Sequence, residues 1–179
     1  MDTTMRKPVL PVTFDPTTWT GRILDALDRV VLGALLVAVA AMVGIVSAQV
    51  VMRYGFNQSF DWADELSRLA FVWSIFLAIP LGVRQGAHIG IDIVVSRFAA
   101  PVQQLLRRAG ALLGAVMMTI IAWAATGVAI EQWDELMSVL DWSVGWFIVP
   151  VAIGSALSAL HLLRVAIDGP RPNDSGSAE

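Results

Sequence analysis

The sequence contains no cysteine, which excludes disulfide bonds, zinc–thiolate sites, iron–sulfur clusters and cysteine nucleophiles. Charged residues are also scarce, at 15% of 179 residues, whereas an ordinary soluble domain carries about 25%. Hydrophobic residues make up 56% of the chain, which favours a membrane protein over a soluble domain. We expect no nucleic-acid partner, because basic residues do not cluster with aromatic residues outside the apolar stretches.

Long apolar stretches predict an all-α membrane protein with four transmembrane helices. Each helix needs about 20 residues to cross about 30 Å of hydrocarbon at about 1.5 Å per residue. The uncharged stretch between Arg68 and Arg84 is too short by itself, so we expect that helix to start near Trp62. The predicted helices cover about residues 30–52, 62–83, 109–130 and 142–163.

The two ends of the chain differ from this transmembrane domain, which we place at residues 30–167. Residues 1–29 contain Asp15-Pro16 and then apolar residues at helical spacing, which favours a short interfacial helix lying on the membrane. A polar lead-in to the first transmembrane helix is the alternative. Residues 168–179 are rich in Pro, Ser, Gly and Asp, and we expect a disordered tail there.

The distribution of basic residues predicts the orientation in the membrane. Ten of the twelve lie before the first helix, between the second and third, or after the fourth. Only Arg53 and Arg68 lie in the other two loops, and residues 131–141 contain four acidic residues and no basic one. The positive-inside rule therefore places both termini in the cytoplasm.

The sequence lacks the residues that catalysis or ion coupling would need. No Asp, Glu, Lys or Arg lies at mid-depth in the first, third or fourth helix, which disfavours a self-sufficient ion-coupled pump or multidrug exporter. No Ser-His-Asp set, glycine-rich phosphate loop or carboxylate pair can be assembled, so we expect no enzyme activity. His88 and His161 leave one alternative open, a haem- or quinone-binding anchor of a respiratory complex.

Small residues and prolines predict how the helices pack. In lipid, helices associate where small residues let their backbones approach closely. Two pairs have this spacing, Gly110-x-x-x-Gly114 and Gly154-x-x-x-Ser158, and both are predicted packing faces. Pro80 and Pro150 are expected to kink the second and fourth helices.

Charged residues near the start of the second helix are candidates for a subunit interface. Asp61 is placed to cap this helix, and Arg68 has two potential ion-pair partners on one helix face, Asp64 at i,i+4 and Glu65 at i,i+3. A charge buried in hydrocarbon costs about 3 kcal/mol on insertion scales. We therefore expect a partner protein to cover Glu65 and Arg68.

Three short motifs lie before, at the start of and after the second helix: Arg53-Tyr54-Gly55-Phe56-Asn57, Trp62-Ala63-Asp64-Glu65-Leu66-Ser67-Arg68 and Gly86-Ala87-His88-Ile89-Gly90-Ile91-Asp92. Because it has these three motifs in this order, the chain resembles the small membrane subunit of tripartite ATP-independent periplasmic (TRAP) transporters. The resemblance extends over about residues 25–167. One departure is Asp64, where the family pattern has Glu; the shorter side chain keeps the charge.

The resemblance implies a non-catalytic subunit in the bacterial inner membrane that binds no metal, cofactor or substrate itself. In such transporters a large permease subunit holds the sodium and substrate sites, and a periplasmic binding protein delivers an organic acid. The small subunit braces the large one. Contacts with the large subunit or the binding protein are then expected at Arg53, Asp64, Glu65, Arg68, His88 and Asp92.

Overall fold

The computed structural model describes residues 19–84 and 100–168, which form four helices. All four are long and apolar enough to cross a membrane, which confirms the predicted fold class. Helices α2 and α4 are the shorter pair, with 24 residues each, while α1 has 37 and α3 has 32. The bounds are α1 Trp19–Gly55, α2 Asp61–Arg84, α3 Ala100–Glu131 and α4 Gly145–Asp168.

The helix ends differ from the predicted ones in three places. Helix α1 runs without a break from residue 19, so the predicted interfacial helix is not a separate element over residues 19–29. Helix α3 starts before the predicted membrane-spanning residues 109–130, with Pro101 in its first turn, where proline is favoured because its missing N–H would have no helical partner. Helix α4 starts later, because an antiparallel bridge between Leu136 and Ser143 folds the preceding loop back on itself.

The helices pack in the order α1, α2, α4, α3, with α1 and α3 on the outside. We call the end of the bundle that carries the start of α1 and the end of α4 the terminal end. The opposite end, which holds residues 56–60 and 132–144, is the loop end. Consecutive helices run in opposite directions, so the two inner helices, α2 and α4, run parallel.

Small side chains bring α2 and α4 together. A Cβ atom at Gly154 would lie inside the van der Waals distance of the Phe76 carbonyl oxygen, so α4 touches the α2 backbone there. Ser158 is fully buried, and its hydroxyl donates to the Gly154 carbonyl at 2.7 Å. The structure thus confirms the predicted Gly154–Ser158 face. At Gly110 an added Cβ would meet open space among the described residues, so no close helix approach is seen there and the predicted Gly110–Gly114 face stays a prediction.

Helix α1 is packed against the bundle on a narrow strip. In its most apolar 18-residue stretch only 6% of the residues are buried, compared with 33% in α4. Among residues 22–55, Leu24, Asp28 and Val31 are buried, and all three lie near the terminal end. Most of the apolar surface of α1 is therefore exposed in this chain by itself and is available to lipid or to a second protein.

Candidate subunit-contact site

The turn between α1 and α2 places the first motif at the loop end. Helix α1 ends at Gly55, and the N–H groups of Phe56 and Gln58 both donate to the Met52 carbonyl, at 3.1 and 3.2 Å. Asn57 follows with a φ of 53°, in the left-handed region that asparagine tolerates better than most residues. The asparagine of the Arg53–Asn57 motif therefore serves to turn the chain from α1 into α2.

A polar cleft of about 540 Å³ opens beside this turn. Gln49 and Arg53 of α1 line one side, and Asp61 and Asp64 of α2 line the other. The structure thus brings two of the predicted site residues, Arg53 and Asp64, onto one open surface. Their opposite charges and the accessible cleft suit contact with another protein's polar side chains.

Arg68 pairs with Asp64 rather than with Glu65. The Arg68 guanidinium lies 2.9 Å from the Asp64 carboxylate, and the two side chains are 64% and 70% exposed. Exposed ion pairs of this kind contribute about 0–1 kcal/mol to stability. The pair is thus of little value to the fold of this chain, and both groups remain accessible to a partner.

Glu65 has a different role from its neighbours. Its carboxylate accepts hydrogen bonds from the N–H of Val139, at 3.1 Å to each oxygen, and from the N–H of Leu140 at 2.8 Å. The start of α2 thereby holds the loop between α3 and α4. Backbone groups of the same chain thus satisfy the carboxylate, and the expected contact of Glu65 with a partner protein stays a prediction.

Replacement of Glu65 with alanine should release this loop. Hydrogen bonds to a charged group contribute about 1.5–3 kcal/mol, so we expect hydrogen exchange at Val139 and Leu140 to accelerate about tenfold or more. The measurement is amide hydrogen exchange of the purified protein, resolved by peptide. Asp64→Ala is the matched control and should leave these amides protected. Equal protection in the two variants would contradict the assignment.

At the terminal end, four charged or titratable side chains from three helices form what we call the Asp28 cluster. Arg84 of α2 contacts Asp25 and Asp28 of α1, each at 2.6 Å. The other oxygen of Asp28 lies 3.0 Å from Nε2 of His161 on α4. Asp28 and His161 are buried, with 4% and 1% of their surface exposed. The cluster therefore links α1, α2 and α4.

Sequence reasoning missed the Asp28 cluster. Asp25 and Asp28 lie at i,i+3, on one face of a helix that leads into a transmembrane segment, and Arg84 ends the second helix at the same side of the membrane. That arrangement was the available signal for an ion pair between α1 and α2. The participation of His161 had no such signal, because it depends on how α4 packs.

The haem or quinone alternative is not supported. It required His161 as a ligand, but Nε2 of His161 faces the Asp28 carboxylate inside the bundle. His88 and Asp92, the remaining predicted site residues, lie outside the described residues.

Comparison with known proteins places this arrangement in a family. A family model described as "Tripartite ATP-independent periplasmic transporters, DctQ component" matches residues 42–170. Over 115 residues the chain is 30% identical to a C4-dicarboxylate TRAP transporter small permease protein DctQ of Rhodobacter capsulatus, covering 63% of this chain and 51% of that protein. Over 128 residues it is 31% identical to a protein of the same description from Pseudomonas aeruginosa, covering 66% and 59%.

A third similarity is to a larger protein. Over 56 residues the chain is 36% identical to the sialic acid TRAP transporter permease protein SiaT of Haemophilus influenzae, which covers 31% of this chain and 9% of that protein. The match to the two small permease proteins spans between half and three-fifths of their lengths.

Proposed function

The chain belongs to the DctQ component family of tripartite ATP-independent periplasmic transporters, and from this premise we propose that it braces the large permease subunit during sodium-coupled, binding-protein-dependent import of an organic acid. The family consists of transporter subunits rather than enzymes, and the chain is a multi-pass protein of the inner membrane. We further propose that both termini are cytoplasmic, as the positive-inside rule predicts.

The Asp28 cluster is the observation that most directly supports the bracing role. A brace must keep its shape while a neighbouring protein moves, and buried ion pairs between helices resist relative motion because separation would leave charges unpaired. The cluster joins α1, α2 and α4 at the terminal end, and Glu65 holds the α3–α4 loop at the loop end. These contacts hold the helices together at both ends of the bundle, which supports the proposal that it acts as a rigid body.

The surface of α1 supports a contact with the large subunit. Most of its apolar residues are exposed in this chain, and Gly33 and Gly44 have open space where a Cβ would lie. Small residues on a membrane helix allow a second helix to approach its backbone. At the loop end, Arg53 with the Asp64–Arg68 pair offers charged groups to the large subunit or the binding protein. His88 and Asp92 remain candidates on the opposite side.

We assign sodium coupling and substrate binding to the large subunit. The names of the relatives refer to C4-dicarboxylates and sialic acid, all of them organic acids, which supports that substrate class for the transporter. In this chain the acidic residues of the described helices lie near helix ends, and Asp25 and Asp28 are already bound to Arg84. An ion that drives transport needs a site inside the membrane that can bind and release it.

Co-purification of this chain with the large permease subunit tests the proposed function. A tag on this chain should retain the large subunit, and deletion of this chain should abolish sodium-dependent uptake of an organic acid by cells. Absence of co-purification together with unchanged uptake after deletion would refute the proposal.

Charge reversal at Arg68 tests the proposed contact. Arg68→Glu should lower retention of the partner and uptake about tenfold, equivalent to about 1.4 kcal/mol, because the charge offered at the proposed contact would be reversed. Arg108→Glu, at an exposed arginine of α3 outside the proposed contacts, is the control and should behave as wild type. An equal loss in both variants would exclude a specific contact at Arg68.

A further inference from the structure

An apolar cleft of about 470 Å³ lies between the last turns of α3 and the first turns of α4, outside all the sites described above. Ala129 and Ile130 form one wall, and Ala152 and Ile153 form the other. Thr126 also lines the cleft, and its hydroxyl donates a hydrogen bond to the Ala122 carbonyl at 2.7 Å. The walls therefore offer an arriving molecule almost only hydrocarbon surface.

Trp133 and Asp134 stand at the mouth of this cleft, just beyond the end of α3 at Glu131. The Trp133 ring packs against Trp146, with ring centroids 5.9 Å apart. It also lies over Gly145, where an added Cβ would come within 2.8 Å of the ring. A tryptophan held in this way at a helix end is typical of the boundary between hydrocarbon and headgroups. The cleft therefore runs from headgroup level into the hydrocarbon.

The charge at the mouth is negative. Asp134 lines the cleft, and Glu131 and Glu135 are close in sequence. Between Arg108 and Arg164 the sequence contains no lysine or arginine, and the two arginines at this end of the bundle, Arg53 and Arg68, lie on α1 and α2. An ammonium group is attracted to such a site, whereas a headgroup with a net negative charge is repelled.

We propose that this cleft binds one acyl chain of a phospholipid whose headgroup carries a primary ammonium group, namely phosphatidylethanolamine. The acyl chain of the lipid lies between Ala129 and Ala152, and the ammonium group lies beside the Asp134 carboxylate. Transfer of a lipid tail from bilayer to cleft gains little from the hydrophobic effect, because both surroundings are apolar. The choice of lipid therefore depends on how well its acyl chain fits the cleft and on the charge of its headgroup.

Photocrosslinking in membranes that contain this chain together with its large subunit tests the proposal. The probes are phosphatidylethanolamine and phosphatidylglycerol, each with a diazirine on one acyl chain, and the readout is mass spectrometry of labelled peptides. Peptides that contain residues 126–134 and 149–153 should be labelled about fivefold more by phosphatidylethanolamine, the ratio that an exposed ion pair of about 1 kcal/mol produces.

Two variants separate the effect of acyl-chain fit from the effect of the charge at the mouth of the cleft. Ala152→Leu fills the cleft and should abolish labelling at these peptides, while Ala124→Leu, on an exposed part of α3, should not. Residue 134 lies outside the helices, and Asp134→Asn should lower the preference for phosphatidylethanolamine over phosphatidylglycerol. The proposal is overturned if wild type shows no labelling there, as expected where the large subunit fills the cleft. It is also overturned if phosphatidylglycerol labels equally or if Ala152→Leu labels as wild type does.

Discussion

Replacement of Asp28 with alanine is expected to destabilise the folded protein by about 3–5 kcal/mol, the range measured when one partner of a buried ion pair is removed. Asp28 is 4% exposed, and its carboxylate contacts both Arg84 and His161. Without it, the guanidinium loses its ion pair with the buried carboxylate, and the buried imidazole loses its contact with the same carboxylate. The expected cost follows from removing a charged hydrogen-bond partner of both groups in a region that water reaches poorly.

The measurement for this prediction is the unfolding of the purified chain in detergent, followed by tryptophan fluorescence against denaturant or temperature. Asp64→Ala is the matched control, because it also removes an aspartate paired with an arginine, but at a pair whose side chains are 70% and 64% exposed. Its expected cost is about 1 kcal/mol or less. Similar losses in both variants would show that burial does not distinguish the two pairs.

The Asp28 variant also bears on function. If the Asp28 cluster makes the bundle a rigid brace, the destabilised variant should lose uptake more strongly than it loses co-purification with the large subunit. Contact through the exposed face of α1 does not require the cluster, whereas support for a moving partner does. Parallel loss of both would indicate that the cluster serves only to keep the chain folded.

Replacement of Gly154 with alanine is expected to separate α2 from α4. The added Cβ would lie 3.0 Å from the Phe76 carbonyl carbon and closer still to its oxygen. Backbone atoms cannot rotate away as a side chain can, so the helices must shift, and overpacking of this kind costs about 1–3 kcal/mol. The shift would also disturb Ser158 one turn further along α4, which is fully buried.

The control for this prediction is Gly110→Ala on α3, where an added Cβ meets nothing within 4 Å. There the substitution should leave stability unchanged or raise it by up to about 1 kcal/mol, because alanine is the better helix former. The free energies of unfolding of both variants, measured in the same detergent, decide the matter. A stable Gly154→Ala variant would show that α2 and α4 are not in close contact at this point.

Much of the fold could be predicted because it follows from local composition. The four transmembrane helices need only the length of apolar runs, and the start of α2 follows from the acidic residues that favour a helix N-terminus. The Asp64–Arg68 pair was likewise one of two local alternatives, because residues four apart lie on one helix face. The family was indicated by three motifs whose order along the chain could be read directly.

The partner of Glu65 could not be predicted in this way. Its carboxylate binds backbone N–H groups of Val139 and Leu140, and backbone groups carry no signature in a sequence. The two small-residue pairs illustrate the same difficulty. Gly110 and Gly154 have the same spacing to a small residue one turn on, but only Gly154 meets a neighbouring backbone within the described residues.

The sequence by itself determined that this chain is a four-helix membrane protein of the TRAP small-subunit type, because hydrophobic length and short motifs are properties of contiguous residues. Only the tertiary structure decided which charges belong to the fold and which are exposed. Asp28, Arg84 and His161 are far apart in the chain and meet through helix packing, whereas Asp64 and Arg68 stay exposed at the loop end. The physical reason is burial, which depends on neighbours that lie far apart in the sequence.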